Sequence, residues 1–270
     1  MASHVVLVTD PLAEDGLTIL AAHPDIEVRV RPGLGPDALP AAVAEADALL
    51  VRSGTRVTAA LLEAGRRLRV VGRAGTGVDN IDVAAATRRG VVVMNTPGGN
   101  AVAACELTFA LLLALLRDVT LARPELARGI WDRKKHMGRQ LQGRTLGLIG
   151  FGRIGREVAA RARAFGMEVL VADPFVTEAL AREHECKLLD RASLLAAADV
   201  ISLHVPLNDE TRHLIDAEAL RRVKPGAVIV NCARGGLVDE AALLDALETG
   251  AVAGAALDVF ETEPPASPLC

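Results

Sequence analysis

The chain has 270 residues, which at about 150 per domain suggests two domains, and its 51% apolar and 24% charged residues supply a large core and exclude a disordered chain. Aromatic residues make up only 2% and the formal net charge is −4, which excludes the stacking platforms and basic footprint of a nucleic-acid binder. Cys105, Cys186, Cys232 and Cys270 are far apart, with no Cys-x-x-Cys or Cys/His cluster, so no disulfide framework and no metal site is expected. The thiols read as buried or incidental.

Residues 1–10 have no basic leader, and their short apolar run, residues 5–8, reads as a first strand rather than a signal peptide. Further strands are predicted at 26–30, 48–51, 68–72 and 91–94, separated by helical stretches such as 13–22 and 83–89. This alternation is the pattern of a parallel sheet covered on both faces. Asn95-Thr96-Pro97-Gly98-Gly99-Asn100 then breaks regular structure, giving a boundary between residues 1–97 and 98–270, with Asn100 suited to cap the next helix. That predicted helix, at 101–118, is apolar on nearly all sides and requires burial all round, in an oligomer contact or within the chain. The longest apolar run, 107–116, is too short to span a bilayer, so a cytoplasmic protein with no membrane partner is expected. A basic, turn-rich stretch at 123–144 holds Trp131, and a second strand series is predicted at 146–149, 168–172, 200–203, 227–230 and 253–257.

The second series opens on Gly150-Phe151-Gly152-Arg153-Ile154-Gly155, a Gly-x-Gly-x-x-Gly turn between an apolar strand and a helical pattern at 156–165. Alone the motif is weak, but Asp173 stands at the end of the next strand, which completes a dinucleotide-binding fingerprint. Gly150 permits the tight turn, Gly152 lets a pyrophosphate approach the backbone, and Gly155 lets helix and strand pack closely. The helix N-terminus offers N–H groups and partial positive charge to the phosphates. Asp173 is suited to the ribose hydroxyls and repels a 2′-phosphate, so NAD is expected over NADP. A second glycine run, Gly72-Arg73-Ala74-Gly75-Thr76-Gly77, has Asn80 where the third glycine belongs. It reads as an anion-holding loop carrying Arg73, or as a plain turn.

Ligands of open α/β sheets bind at the carboxyl ends of strands. There the second series carries Asp173, His204, Asn231-Cys232-Ala233-Arg234 and Asp258. Arg234 precedes Gly235-Gly236 and has the planar fork that suits a carboxylate beside a carbonyl, with a surface arginine in a turn as the alternative. Glu263 lies just past the last strand, where a carboxylate can orient a general-acid histidine, though spacing alone says little.

The blocks Arg73-Ala-Gly-Thr-Gly-Val-Asp-Asn80, Met94-Asn-Thr-Pro97, Trp131-Asp-Arg-Lys-Lys135, Gly150-Phe-Gly-Arg-Ile-Gly155, Asn231-Cys-Ala-Arg-Gly-Gly236 and Leu257-Asp-Val-Phe260 resemble the D-isomer-specific 2-hydroxyacid dehydrogenases, and the resemblance runs through essentially the whole chain. It implies an α/β protein with two doubly wound parallel-sheet domains: a flavodoxin-like substrate domain and a Rossmann NAD-binding domain whose last strand is not included. It implies NAD contacts at Thr76, Arg153, Ile154, Asp173, Val205, Cys232, Arg234 and Asp258. Val205 replaces a frequent threonine, so only its backbone contact carries over. Arg234 is implied to bind the substrate's carboxylate and C2 oxygen, and Glu263 to partner a catalytic histidine. The implied substrate is 3-phospho-D-glycerate, oxidised to 3-phosphohydroxypyruvate at the start of phosphorylated serine synthesis. Glyoxylate, hydroxypyruvate, lactate or a non-catalytic NAD-binding scaffold remain as alternatives. Arg52, Ser53, Arg73, Gly75, Arg133 and Lys135 are candidates for the acid and phosphate groups, the last two from a neighbouring subunit of a homodimer or homotetramer; a solvated surface is the other reading. The family's histidine lies in a Pro-His-x-Gly segment past the Glu263 position. None of His4, His23, His136, His184, His204 and His213 matches it, so the chain is expected to be C-terminally incomplete, with His204 read mainly as structural or cofactor-adjacent.

Overall fold

The computed structural model describes residues 4–265, so Cys270 lies outside the described part. The chain divides into two compact units, residues 1–100 and 101–270.

The first unit comprises β1 (His4–Val8), α1 (Glu14–Ala21), β2 (Ile26–Val30), α2 (Ala38–Ala44), β3 (Ala48–Val51), α3 (Ala59–Ala64), β4 (Val70–Arg73), α4 (Val83–Arg88) and β5 (Val92–Asn95). Its five strands are all parallel, in the order β2-β1-β3-β4-β5. Leu7, Leu49, Val51, Leu62 and Val71 form its buried centre. Thr58 and Asp82 start α3 and α4 by accepting the backbone N–H of Leu61 (3.2 Å) and Ala85 (2.8 Å). In this unit two strands begin later than expected. Leu68 and Val91 are buried, but their N–H groups close turns onto the carbonyls of Gly65 and Ala86, so the ladders begin at Val70 and Val92. Hydrophobicity marks both positions as interior, whereas pairing is decided by where the donor points.

The second unit comprises α5 (Ala101–Leu116), α6 (Val119–Ala127), β6 (Thr145–Ile149), α7 (Arg153–Ala164), β7 (Glu168–Ala172), α8 (Glu178–Glu183), β8 (Lys187–Leu188), α9 (Arg191–Ala197), β9 (Val200–Leu203), α10 (Ala217–Arg222), β10 (Val228–Asn231), α11 (Glu240–Glu248) and β11 (Gly254–Leu257). Its six strands are parallel in the order β11-β10-β9-β6-β7-β8. Side chains alternate between two cores, as a sheet buried on both faces requires. Leu146, Leu148, Val169, Val171, Val228 and Val230 face one, which α5 and α7 share; Ile149, Leu170, Ile201, Leu203 and Ile229 face the other. A side chain at Gly147 would come within 2.5 Å of Leu194 Cδ2, so the glycine lets α9 lie close on β6.

The turn-rich reading of 123–144 needs correction, because its first part belongs to α6, which contains Pro124. Asp118, left-handed at φ 54°, separates α6 from α5. The expected all-round burial of the apolar helix also fails within the chain. Cys105, Phe109, Leu112 and Leu116 are buried along one side, while Val102 and Leu107 are exposed. Asn100 gives its side-chain oxygen to the Thr76 hydroxyl. Among the described residues no helix is long and apolar enough to cross a membrane.

Truncating the fully buried Leu148 to alanine removes contacts on the central strand β6. Urea unfolding of Leu148→Ala is expected to show a loss of about 2–5 kcal/mol.

Candidate dinucleotide and substrate-binding residues

The turn after β6 is built from three glycines with different tasks. Gly150 sits at φ +97°, and a Cβ there would lie 2.5 Å from the His204 carbonyl oxygen and 2.8 Å from Val205 Cγ1. Gly155 lies in the first turn of α7, where a Cβ would lie 2.3 Å from the Gly150 oxygen. Gly152 is the N-cap of α7, and a Cβ there would meet nothing within 4 Å. Two glycines are therefore demanded by the fold, while the middle one leaves open space at a helix start. That is the cradle a pyrophosphate fits, with N–H donors ahead of it. α7 begins at Arg153, three residues before the predicted start at 156; Arg153 is exposed and Ile154 packs against the core.

Asp173 follows β7 and turns back to this loop. Its Oδ2 accepts the Phe151 N–H (2.8 Å) and its Oδ1 the Phe175 N–H (2.9 Å). A carboxylate has about four acceptor sites, so both oxygens keep capacity for sugar hydroxyls. Phe175, which sequence reasoning missed, is 92% exposed beside it. An aromatic two residues after an acid carries no pattern that would have marked it.

His204 follows β9, donating its N–H to the Ile149 oxygen (2.8 Å), and its Nε2 lies 2.9 Å from the buried Ser202 hydroxyl. Burial pushes its imidazole down to about 4, so the ring is neutral at pH 7. It is a poor acid and a close neighbour of the glycine turn. Cys232 follows β10; burial raises its thiol to about 11, against an opposing hydrogen bond from Thr108. Asp258, past β11, has its carboxyl raised by burial and by the nearby Glu263.

Arg234 and Glu263 come from loops locked together through backbone. The Asn231 side chain accepts the Ala233 N–H (3.0 Å) and donates to the Arg234 oxygen (2.9 Å), while Arg234 Nη1 donates to the Ala233 oxygen (2.6 Å). A Cβ on Gly235 would lie 1.8 Å from the Phe260 oxygen. The Phe260 N–H in turn donates to Glu263 Oε1 (3.2 Å).

In the first unit Arg73 ends β4 only 8% exposed, with Nη1 donating to Asp79 Oδ1 (3.0 Å) and its buried Nε left without a hydrogen-bond partner. Arg52 and Gly75 line a cavity of about 380 Å³ that also includes Thr96 and Asn100; Ser53 is exposed beside Arg52. Thr76 is held by its bond to Asn100 and by the Asn95 amide on its carbonyl (2.7 Å). Arg133 and Lys135 are exposed in the second unit, but Lys135 is already engaged, its Nζ donating to Glu125 Oε1 (2.5 Å). His136 bridges Asp118 and Glu125 beside it, and both carboxylates raise its imidazole above the ordinary value.

The fold and glycine turn define a dinucleotide-binding α/β protein. The sequence profile of the D-isomer specific 2-hydroxyacid dehydrogenase NAD-binding domain matches residues 109–270, and the chain belongs to this family. It is 49% identical over 261 residues to a D-3-phosphoglycerate dehydrogenase of Methanocaldococcus jannaschii, covering 96% of this chain and 49% of that protein. It is 50% identical over 264 residues to the D-3-phosphoglycerate dehydrogenase of Mycobacterium tuberculosis H37Rv, covering 98% and 50%. The chain thus spans about half the length of the curated relatives it matches. A solved D-lactate dehydrogenase from Aquifex aeolicus, complexed with NAD and lactic acid, superposes with a TM-score of 0.87 at 33% identity, covering 96% of this chain and 78% of that one.

The His204 environment has a pH signature. Its folded value near 4 lies below the unfolded value of about 6.5, so the unfolded chain binds the proton first on acidification. The contribution is complete above about pH 6.5 and is lost as pH falls toward 4, on the order of 3 kcal/mol. Denaturant titrations across this range should show that loss, and His204→Gln should flatten it.

Proposed function

We propose that this chain is the catalytic portion of an NAD-dependent dehydrogenase that oxidises the C2 hydroxyl of 3-phospho-D-glycerate to the ketone of 3-phosphohydroxypyruvate, the step that commits a phosphorylated three-carbon acid toward serine. The supporting observation is the glycine turn with its open middle position and the Asp173 carboxylate bonded to it, in a chain near half identical to phosphoglycerate dehydrogenases. When bound, NAD supplies the hydride acceptor. The backbone N–H groups at Gly152, Arg153 and Ile154 face its pyrophosphate, and Asp173 accepts the ribose hydroxyls. Thr76, Val205, Cys232 and Asp258 complete the cofactor's surroundings. The guanidinium of Arg234 holds the substrate carboxylate and C2 oxygen in one fork, which fixes the reacting carbon. Arg52, Ser53, Arg73 and the Gly75 backbone take the acid and phosphate groups, with Arg133 and Lys135 joining from a second copy once Lys135 leaves Glu125. The unbonded Nε of Arg73 supports its place in this set. Glu263 pairs with the proton-accepting histidine of the family's Pro-His-x-Gly segment.

A homo-oligomer is part of the proposal. Leu121, Leu126, Ile130 and Met137 are exposed around α6 and its following loop, and Trp131 is 73% exposed. A second reading, oxidation of an unphosphorylated acid such as lactate, is favoured by the likeness to the lactate-bound enzyme.

Removing the acid by Asp173→Ala should weaken NAD binding about 10- to 100-fold in calorimetry and reduce discrimination against NADP. A preserved preference for NAD would remove Asp173 from the ribose. With the chain extended through the Pro-His-x-Gly segment, kcat/KM for 3-phosphoglycerate should exceed that for glycerate by at least about 100-fold. Equal values would favour the unphosphorylated substrates, and NADH binding without turnover of either acid would favour a non-catalytic NAD-binding scaffold.

A further inference from the structure

We propose that the first unit carries a second small-molecule site, for a zwitterion with an apolar side chain such as a branched α-amino acid. In the order β2-β1-β3-β4-β5 the chain leaves β1 toward β2 and leaves β3 toward β4, so the connections part at the β1/β3 boundary. Open α/β sheets take ligands in the crevice that forms at such a point. A cavity of about 810 Å³ opens there, lined by the residues just after β1, β2 and β3. Small-molecule sites occupy roughly 300–1,000 Å³. Pro32, Pro36, Leu39 and Leu61 make its walls apolar, and the prolines bring no backbone donors.

Two charged groups on this cavity lack a countercharge. Asp10 is 7% exposed, yet its three hydrogen-bond donors are neutral: the N–H of Arg52 (2.5 Å), the N–H of Thr55 (3.1 Å) and the Thr55 hydroxyl (2.9 Å). Among the described residues no cation pairs with it. Its Oδ1 takes only the hydroxyl and can accept once more. A Cβ on Gly54 would stand 2.8 Å from that same oxygen, so glycine keeps the space before it open. A buried carboxylate without a countercharge is costly, and an ammonium group removes the cost. Arg56 also lines the cavity, is exposed, and makes no ion pair among the described residues. A guanidinium complements a carboxylate. One ligand with an ammonium, a carboxylate and an apolar side chain meets the three kinds of surface.

The test is amide-resolved NMR of the ¹⁵N-labelled chain titrated with L-leucine. Saturable shifts at Thr9, Asp10, Thr55 and Arg56 are expected. Glycine lacks the apolar side chain, N-acetyl-leucine the ammonium and leucinamide the carboxylate, and each should bind at least about tenfold more weakly. Arg56→Gln should lower leucine affinity about tenfold and erase the preference over leucinamide. Ala60→Trp, on the exposed side of α3 and facing this cavity, should abolish the shifts while leaving Asp10 and its bonds in place. No saturable shift with leucine, equal binding of N-acetyl-leucine, or full retention of binding in Arg56→Gln would overturn the proposal. NAD titration of the same sample reads the other site separately.

Discussion

The structure depends on backbone meeting backbone where no side chain intervenes. The Gly155 Cα rests on the Gly150 carbonyl, Gly150 rests on the His204 carbonyl, and Gly235 rests on the Phe260 carbonyl. Each contact leaves no room for a methyl group, and each joins chain segments that come after different strands or different parts of one turn. The first two draw α7 against β6 and set the loop after β9 beside it. The third joins the loop of Arg234 to the turn of Glu263. Overlap of this kind cannot be relieved by a rotamer change, so these positions fix the local geometry more tightly than any salt bridge on the surface does.

Carboxylates hold the remaining loops by a related economy of atoms. Asp10 gathers two N–H groups of the loop after β3, and Asp173 gathers two around the glycine turn. Asp190, Asp216 and Asp239 start α9, α10 and α11 by accepting N–H groups three residues on. Asp10 and Asp173 differ from the three helix caps in that each ties its own loop to a distant segment, Asp10 to the loop after β3 and Asp173 to the turn after β6.

Much of the architecture was legible. Alternation of strand and helix gave both sheets, and the glycine turn with Asp173 gave the cofactor class from residue types and spacing. Residues 26–30, 48–51, 168–172 and 200–203 coincide with observed strands because their apolar character and their ladder donors agree. Leu68 and Val91 misled because burial and pairing part company at a helix end. α6 was hidden by Pro124 and a basic flank, and the two-residue β8 is too short to leave a periodic signal. Among the candidate substrate residues, Arg73 and Lys135 look alike in sequence as basic side chains near turns. Only packing separates a guanidinium enclosed beside Asp79 from an ammonium spread on the surface against Glu125. Phe175 was invisible because exposure of an aromatic is a tertiary fact.

The outer strand of the first sheet has a further consequence. β2 pairs only with β1, so its other side offers a row of unmet main-chain groups. Glu27 and Arg29 alternate along it, and Arg29 is clasped by both Glu27 (2.7 Å) and Glu45 (2.8 Å). A foreign strand docking there would have to strip water from those charges and part them. The border thus discourages self-templated fibre growth without a covering helix, and neutralising Arg29 would expose the sheet to it.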